Sequence, residues 1–224
     1  MICIIGANGN MGKRYQSVCK YLNIPYHGLD VNDPLPVNAH EFFTHYIIAT
    51  PTVTHEKILH YLCAVNTIPL KILCEKPILC LNVESILDFA NEREHEIFMV
   101  NQYAYYSHQI YESEGKTSYN YYNSGGDGIF WDCIQLIYLA KSEISLSNNT
   151  PIWFAEINGV ELDRETIDLC YVKMIHDFYK DGSIYGQRWG REEIIAAHNK
   201  VLEYGKNTNW NSSALHIDSA TRKK

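Results

Sequence analysis

Gly6-Ala7-Asn8-Gly9-Asn10-Met11-Gly12 follows directly on the apolar run Met1–Ile5. The spacing is G-x-x-G-x-x-G, a variant of the tight turn that lets backbone N–H groups approach a pyrophosphate at the start of a helix. Asp30 ends the next apolar run, close to the ~20-residue offset at which an acidic side chain meets a ribose hydroxyl. Its carboxylate would accept hydrogen bonds from the 2′-OH and repel a 2′-phosphate. Val31, Asn32 and Asp33 follow and none is a cation, so NAD is expected over NADP. Lys13 and Arg14 lie just past the glycines and are expected to be solvated first-turn residues.

Other side chains carry weaker signals. His55-Glu56-x-x-x-His60 is one residue too long for the zinc-protease helix motif, and the ten histidines form no other ligand cluster, so no metal is expected. Cys74 and Cys80 flank Glu75-Lys76-Pro77 and are expected to be buried thiols. Tyr103-Ala104-Tyr105-Tyr106 suits a pocket wall or interdomain packing equally.

These residues need elements to position them. Through residue 101 the pattern alternates strands with helices. Strands are expected at Met1–Ile5, Ile24–Leu29, Tyr46–Ala49, Leu70–Cys74 and Ile97–Val100. Helices are expected at Met11–Leu22, at Thr52–Val65, where Ile58, Leu59, Leu62 and Val65 recur three and four apart, and from an Asn82 cap to about Glu94. Short apolar strands between amphipathic helices predict a parallel sheet covered on both faces.

Beyond Asn101 the pattern changes. Lys116–Tyr122 suggests an exposed strand, 123–128 a loop, Ile129–Ala140 one apolar helix, and Ile152–Ile157 a strand entering an Asn158-Gly159 hairpin turn. Two amphipathic helices follow, one with Gly182 past its end and one stopping at Gly205. The expected fold class is thus α/β, a Rossmann-type parallel sheet domain (1–101) followed by a reduced α+β domain (102–205) and a polar tail (206–224).

The 224 residues are 46% hydrophobic and 20% charged, which fits a globular chain and excludes a disordered one. A net charge of −7 without a long basic run argues against nucleic acid as partner. No apolar run is long enough for a membrane span, and the N-terminus lacks the basic flank of a signal peptide. Seven cysteines without a C-x-x-C pair argue for a reducing, cytoplasmic setting.

Two further motifs narrow the reading. Ile47-Ile48-Ala49-Thr50-Pro51-Thr52-x-x-His55 carries a Thr-Pro loop at a strand end, and Cys74-Glu75-Lys76-Pro77-Ile78 follows another strand. With the glycine turn they resemble the glucose–fructose oxidoreductase / inositol dehydrogenase (Gfo/Idh/MocA) family. The resemblance covers the first half in order and spacing, and 175–182 and 189–204 look like that family's last two helices. It implies a two-domain NAD(P)-dependent oxidoreductase acting on sugars, cyclitols or sugar nucleotides. Lys76 would lie at the nicotinamide and touch the reacting hydroxyl, Glu75 would sit by the nicotinamide ribose, and Pro77 would fix the turn. An ammonium there stabilises alkoxide charge or passes a proton. Gly6, Asn8, Gly9, Asn10, Met11, Gly12, Asp30, Thr50, Pro51, Thr52, His55 and Asn101 complete the expected cofactor site.

Two features depart from the family. Trp131-Asp132-Cys133-Ile134-Gln135-Leu136-Ile137-Tyr138 best matches members reading D-C-I-H-E-I-D, so Gln135 stands where the family has its acid/base His, and Tyr138 at a later acidic position. Asp132, Gln135 and Tyr138 are then expected to face Lys76 as substrate-orienting groups. On the order of 100 residues follow Val100, too few for the family's broad sheet, which puts the usual homodimer surface in doubt. Two alternatives follow: a non-catalytic NAD-binding regulatory or assembly protein, and a tetrapyrrole-type reductase that also lacks the His. The intact Glu75-Lys76-Pro77 weighs against both.

Overall fold

The computed structural model describes residues 1–35, 42–79, 82–106, 109–121, 129–148, 152–181 and 189–207. The expected loop at 123–128, Cys80, Gly182 and the tail from 208 fall outside them.

The first half is β1 (Ile2–Ile5), α1 (Asn10–Tyr21), β2 (Tyr26–Leu29), β3 (His45–Ile48), α2 (His55–Val65), β4 (Lys71–Cys74), α3 (Val83–Asn91) and β5 (Glu96–Met99). The five strands form one parallel sheet in the order β2-β1-β3-β4-β5. Ile2, Cys3, Ile4, Tyr46, Ile47, Ile48, Ile72, Leu73 and Cys74 are fully buried, so the central strands are covered on both faces. The strand order reverses beside β1, where the connections leaving β1 and β3 part and open a crevice at their C-terminal ends.

The second half holds α4 (Gln109–Glu112), β6 (Thr117–Tyr121), α5 (Ile129–Asp132), α6 (Ile134–Leu139), β7 (Ile144–Asn148), β8 (Phe154–Ile157), β9 (Val160–Glu161), α7 (Arg164–Asp181) and α8 (Arg191–Asn207). Its strands form a smaller mixed sheet, β7-β6-β8-β9. The β8–β9 turn is Asn158-Gly159 as expected, with positive φ at both residues (51° and 81°). The last two helices pack back on the first half. Phe178 of α7 meets His45 and Phe98, α7 lies on α1, and α8 lies on α3 and β5. Arg191 at the start of α8 holds Asp88 of α3 at 2.6 Å.

Four expectations need correction, and one strand was not foreseen. The apolar stretch at 129–140 is two short helices broken at Cys133, whose φ of −111° and ψ of 23° leave the helical region. β6 is interior to its sheet rather than exposed, because Thr117 and Tyr119 turn one face inward and are buried. β7 was not anticipated; its Ser-rich sequence has weak strand propensity, and pairing with β6 supplies what propensity lacks. Asn82 precedes α3 but has φ of 54° and makes no side-chain cap. Gly205 lies buried inside α8, which runs to Asn207, so packing overrides the ~1 kcal/mol cost of a helical glycine.

Three histidines make this fold acid-sensitive. Burial first, then the N-terminal ammonium and Lys71, lower His45 from 6.5 to about 4, between the rings of Phe178 and Tyr179. Burial also lowers His95 and His198. His95 accepts from Leu70 N–H at Nδ1 (3.0 Å) and donates from Nε2 to Cys63 O (3.1 Å), so a second ring proton would face an N–H donor. As pH falls below 6.5 the unfolded chain binds protons that the folded chain refuses, and stability drops until the folded values are reached. Tm should therefore be lower at pH 5 than at pH 7. His45→Phe should reduce that loss, as scanning calorimetry at the two pH values would measure.

Candidate functional site

β1 ends at Ile5 and the chain turns at Gly6, whose φ is +86°. The N–H groups of Gly6 and Ala7 both donate to Leu29 O, tying the turn to β2. A Cβ on Gly6 would lie 2.8 Å from Ala49 O, and one on Gly12 only 2.1 Å from Gly6 O. Gly9 has more room, 3.3 Å to Gly6 O, and stands at the exposed N-cap of α1. No side chain caps this helix and no acidic residue lies in its first turn. The N–H groups of Asn10, Met11 and Gly12 are first-turn donors without an intrahelical acceptor, which suits an anion.

Asp30 closes one side of this turn. Its Oδ2 accepts from Asn8 N–H at 2.7 Å and its Oδ1 from Val31 N–H at 2.8 Å. These two bonds, Val31 first, hold its carboxyl below the usual range. Asp33 Oδ2 accepts from the Asp30 amide. A cavity of about 630 Å³ lies here, lined by Gly6, Gly9, Asp30, Asp33, Lys57 and Tyr61 among others. Lys57, on α2, lines the same cavity, and nothing near Asp30 in the sequence signals it.

The loops after β3 and β4 are stapled together by His55. The ring is fully buried. Its Nε2 lies 2.8 Å from Thr50 O and its Nδ1 3.1 Å from the carbonyls of Pro77 and Ile78. His55 thus holds the Thr-Pro loop against the Glu-Lys-Pro turn and lines neither cavity. Thr50 and Pro51 line both cavities, and Thr52 one. Thr54 Oγ1 donates to Pro51 O at 2.7 Å and lies 2.8 Å from Thr50 Oγ1.

At the end of β4, Glu75 is buried and accepts from Tyr15 OH and from the Lys76 amide. Burial, reinforced by the Glu75 charge, pushes the Tyr15 phenol well up, so Tyr15 stays a donor and Glu75 the acceptor. Lys76 turns the other way. Its Nζ donates to Asp132 O at 2.6 Å and lies 3.7 Å from Asp132 Oδ1. Lys76 and Asp132 are 23% and 13% exposed, so the ion pair is largely shielded yet open to the cavity it borders. That cavity, about 660 Å³, continues from the first along Ala49, Thr50, Pro51 and Val53.

Lys76 and Asp132 are brought together; Gln135 and Tyr138 are not. Gln135 is 1% exposed and turns inward, donating from Nε2 to Val100 O and to Gln102 Oε1 (3.2 Å). The break at Cys133 and burial of α6 put it behind the cavity wall. The Tyr138 ring packs edge-on against Trp189 at 4.9 Å and also lies outside the cavity. Asn101 is fully buried, and both of its amide atoms lack a partner among the described residues. Met11 lines the second cavity, as does Arg14, which is exposed as expected but also lies over the Tyr171 ring at 4.8 Å and pairs with Asp168 at 3.5 Å. Tyr15, Gln102, Trp153, Arg164 and Tyr171 were not singled out as site residues, because their roles come from packing between distant segments. Among the described residues no group of three His, Cys, Asp or Glu is placed to hold a metal ion. No helix among them is long and apolar enough to cross a membrane.

The glycines differ in kind. Gly12→Ala should cost about 2 kcal/mol or more, a Tm loss of roughly 4–8 °C, because its Cβ would overlap backbone. Gly9→Ala should cost far less. A thermal melt of the two variants separates a packing glycine from a loop glycine.

No family model matches the sequence and no curated protein matches it. Solved structures do resemble it in shape. The WlbA (WbpB) dehydrogenase of Thermus thermophilus, solved with NAD and UDP-GlcNAcA, superposes with a TM-score of 0.64 at 10% identity, over 91% of this chain and 94% of that one. An oxidoreductase of Agrobacterium radiobacter in complex with NAD+, L-tartaric acid and magnesium gives 0.66 at 11%, over 93% and 96%. A myo-inositol dehydrogenase of Corynebacterium glutamicum gives 0.59 at 12%, over 92% and 96%. At these identities the likeness is one of fold: the chain has the Rossmann-type parallel sheet followed by a smaller mixed-sheet α+β half that these proteins share.

Proposed function

We propose that this chain is an NAD-dependent oxidoreductase acting on an alcohol carbon of a sugar-like, cyclitol or sugar-nucleotide substrate. The observation that carries this reading is the Lys76 ammonium at the end of β4, fixed by Asp132 on the wall of a cavity that runs on from the glycine turn. The residues fit a dinucleotide: the open first turn of α1 suits its pyrophosphate, and Asp30, pinned in its ionised form, suits its ribose. The NAD held by two of the proteins sharing this fold supports the same cofactor. Bound NAD would supply the hydride acceptor or donor.

The chain's own residues do the rest. Lys76 would donate a hydrogen bond to the reacting oxygen and stabilise its developing negative charge. Asp132 holds Nζ through its carbonyl and carboxylate and so fixes where the ammonium points. Glu75, gripped by Tyr15, anchors the turn from the opposite side. His55 fixes the distance between the Thr50-Pro51 loop and this turn.

Calorimetric titration should give tighter binding of NAD than of NADP, and Asp30→Ala should narrow the difference. Equal affinities would instead assign Lys57 to a 2′-phosphate. Lys76→Ala should cut turnover ~10²–10⁴-fold with little change in NAD affinity, as expected for a group acting on the transition state. If a broad polyol and sugar panel gave no NAD-linked absorbance change while NAD bound, the non-catalytic reading would stand. Gln135→His should not introduce a catalytic pH dependence near neutrality, because residue 135 faces Val100 and not the cavity.

A further inference from the structure

The second cavity is lined by as many cations as carboxylates, three of each. Three of its lining residues are cationic, Arg14, Lys76 and Arg164, in a protein of net charge −7. Its carboxylates are engaged: Glu75 by Tyr15 and the Lys76 amide, Asp132 beside Lys76, Asp168 by Arg14. Arg164 has no carboxylate partner among the described residues. Its guanidinium lies over the Trp153 ring, 5.3 Å from the centroid.

Arg164 is exposed, and local structure fixes its backbone position. It is the first residue of α7. Asp163 just before it caps the helix, accepting from Thr166 N–H at 2.8 Å and from Tyr106 OH at 2.9 Å. Arg164, Ile167, Asp168 and Tyr171 recur at helical spacing and all line the cavity, so one face of α7 forms its wall. Resting a guanidinium on an indole leaves its edge N–H groups free. These form the planar fork that matches a carboxylate or a phosphate.

We infer that the substrate taken by this cavity is an anionic sugar derivative, bearing a phosphate or a carboxylate that Arg164 receives while the reacting hydroxyl lies at Lys76. Arg14, partly neutralised by Asp168, adds to the field without being the principal ligand. The inference rests on reading this cavity as the substrate side of a dehydrogenase, and it narrows that reading to one charge class. Arg14 and Lys76 each stand beside a carboxylate, so Arg164 is the cation of the lining whose donors would favour such a ligand over a neutral sugar.

The test titrates glucose 6-phosphate, glucuronate and glucose into the protein by calorimetry, with and without saturating NAD, at fixed ionic strength. At least one charged sugar should bind about tenfold or more tightly than glucose. Arg164→Ala should bring that ligand to within about threefold of glucose. Arg164→Lys should recover only part of the preference, because a point charge lacks the fork. Glu165→Ala, on an exposed neighbour, should change nothing. A preference for the phosphate or for the carboxylate identifies the oxyanion. Equal binding of all three sugars, no binding of either charged one, or a preference that survives Arg164→Ala would overturn the inference. Failure of the dehydrogenase reading shows separately, as absent NAD binding in the same titrations, since Arg164 lies outside the cavity at Asp30.

Discussion

The contact between Lys76 and Asp132 joins the two halves of the molecule at the wall of the cavity that both residues line. One partner lies two residues past a strand of the parallel sheet; the other ends a short helix of the second half. Both are mostly shielded from solvent, so removing either leaves the other's charge without its counterpart in a poorly solvated place. Such a pair contributes little net stability, but it fixes where an ammonium points. The break at Cys133 separates α5, which carries Asp132 to the cavity, from α6, which buries Gln135.

At the cavity beside Asp30, backbone dominates. Gly6 and Gly12 let the turn and α1 pack onto each other and onto the loop after β3, while Asp30 is pinned by two amides and not by cations. At the cavity beside Lys76, side chains dominate. Tyr15 reaches Glu75 from α1, and α7 brings Tyr171, Asp168 and Arg164 to the same wall. His55 and Gln135 are both buried polar groups that bond to main-chain carbonyls. They shape the cavities from behind. A buried donor that satisfies a carbonyl holds a loop more firmly than an apolar side chain would, because losing the bond leaves a desolvated group unpaired.

Much of the first half was legible in the residues. Apolar runs of four or five between amphipathic helices can bury both faces only as a parallel sheet, and each strand and helix expected there is present. The glycine spacing, Asp30 and Glu75-Lys76-Pro77 are local signals, because each depends on a turn made by its own neighbours. The second half was less legible. β7 owes its strand to its partner, Gly205 stays helical because it is buried, and the apolar stretch at 129–140 does not reveal the break at Cys133.

The sequence by itself determined the parallel-sheet half, the glycine turn before α1, the acidic end of β2 and the lysine after β4, because strand periodicity and turn chemistry act over a few residues. Only the tertiary structure decided which groups share the cavity. It turned Gln135 and Tyr138 away, put Tyr15 behind Glu75, and brought Arg14, Arg164 and Tyr171 to it. These contacts join segments separated by tens to more than a hundred residues. They follow from how α7 and α8 fold back onto the first sheet, a packing choice that no local pattern encodes.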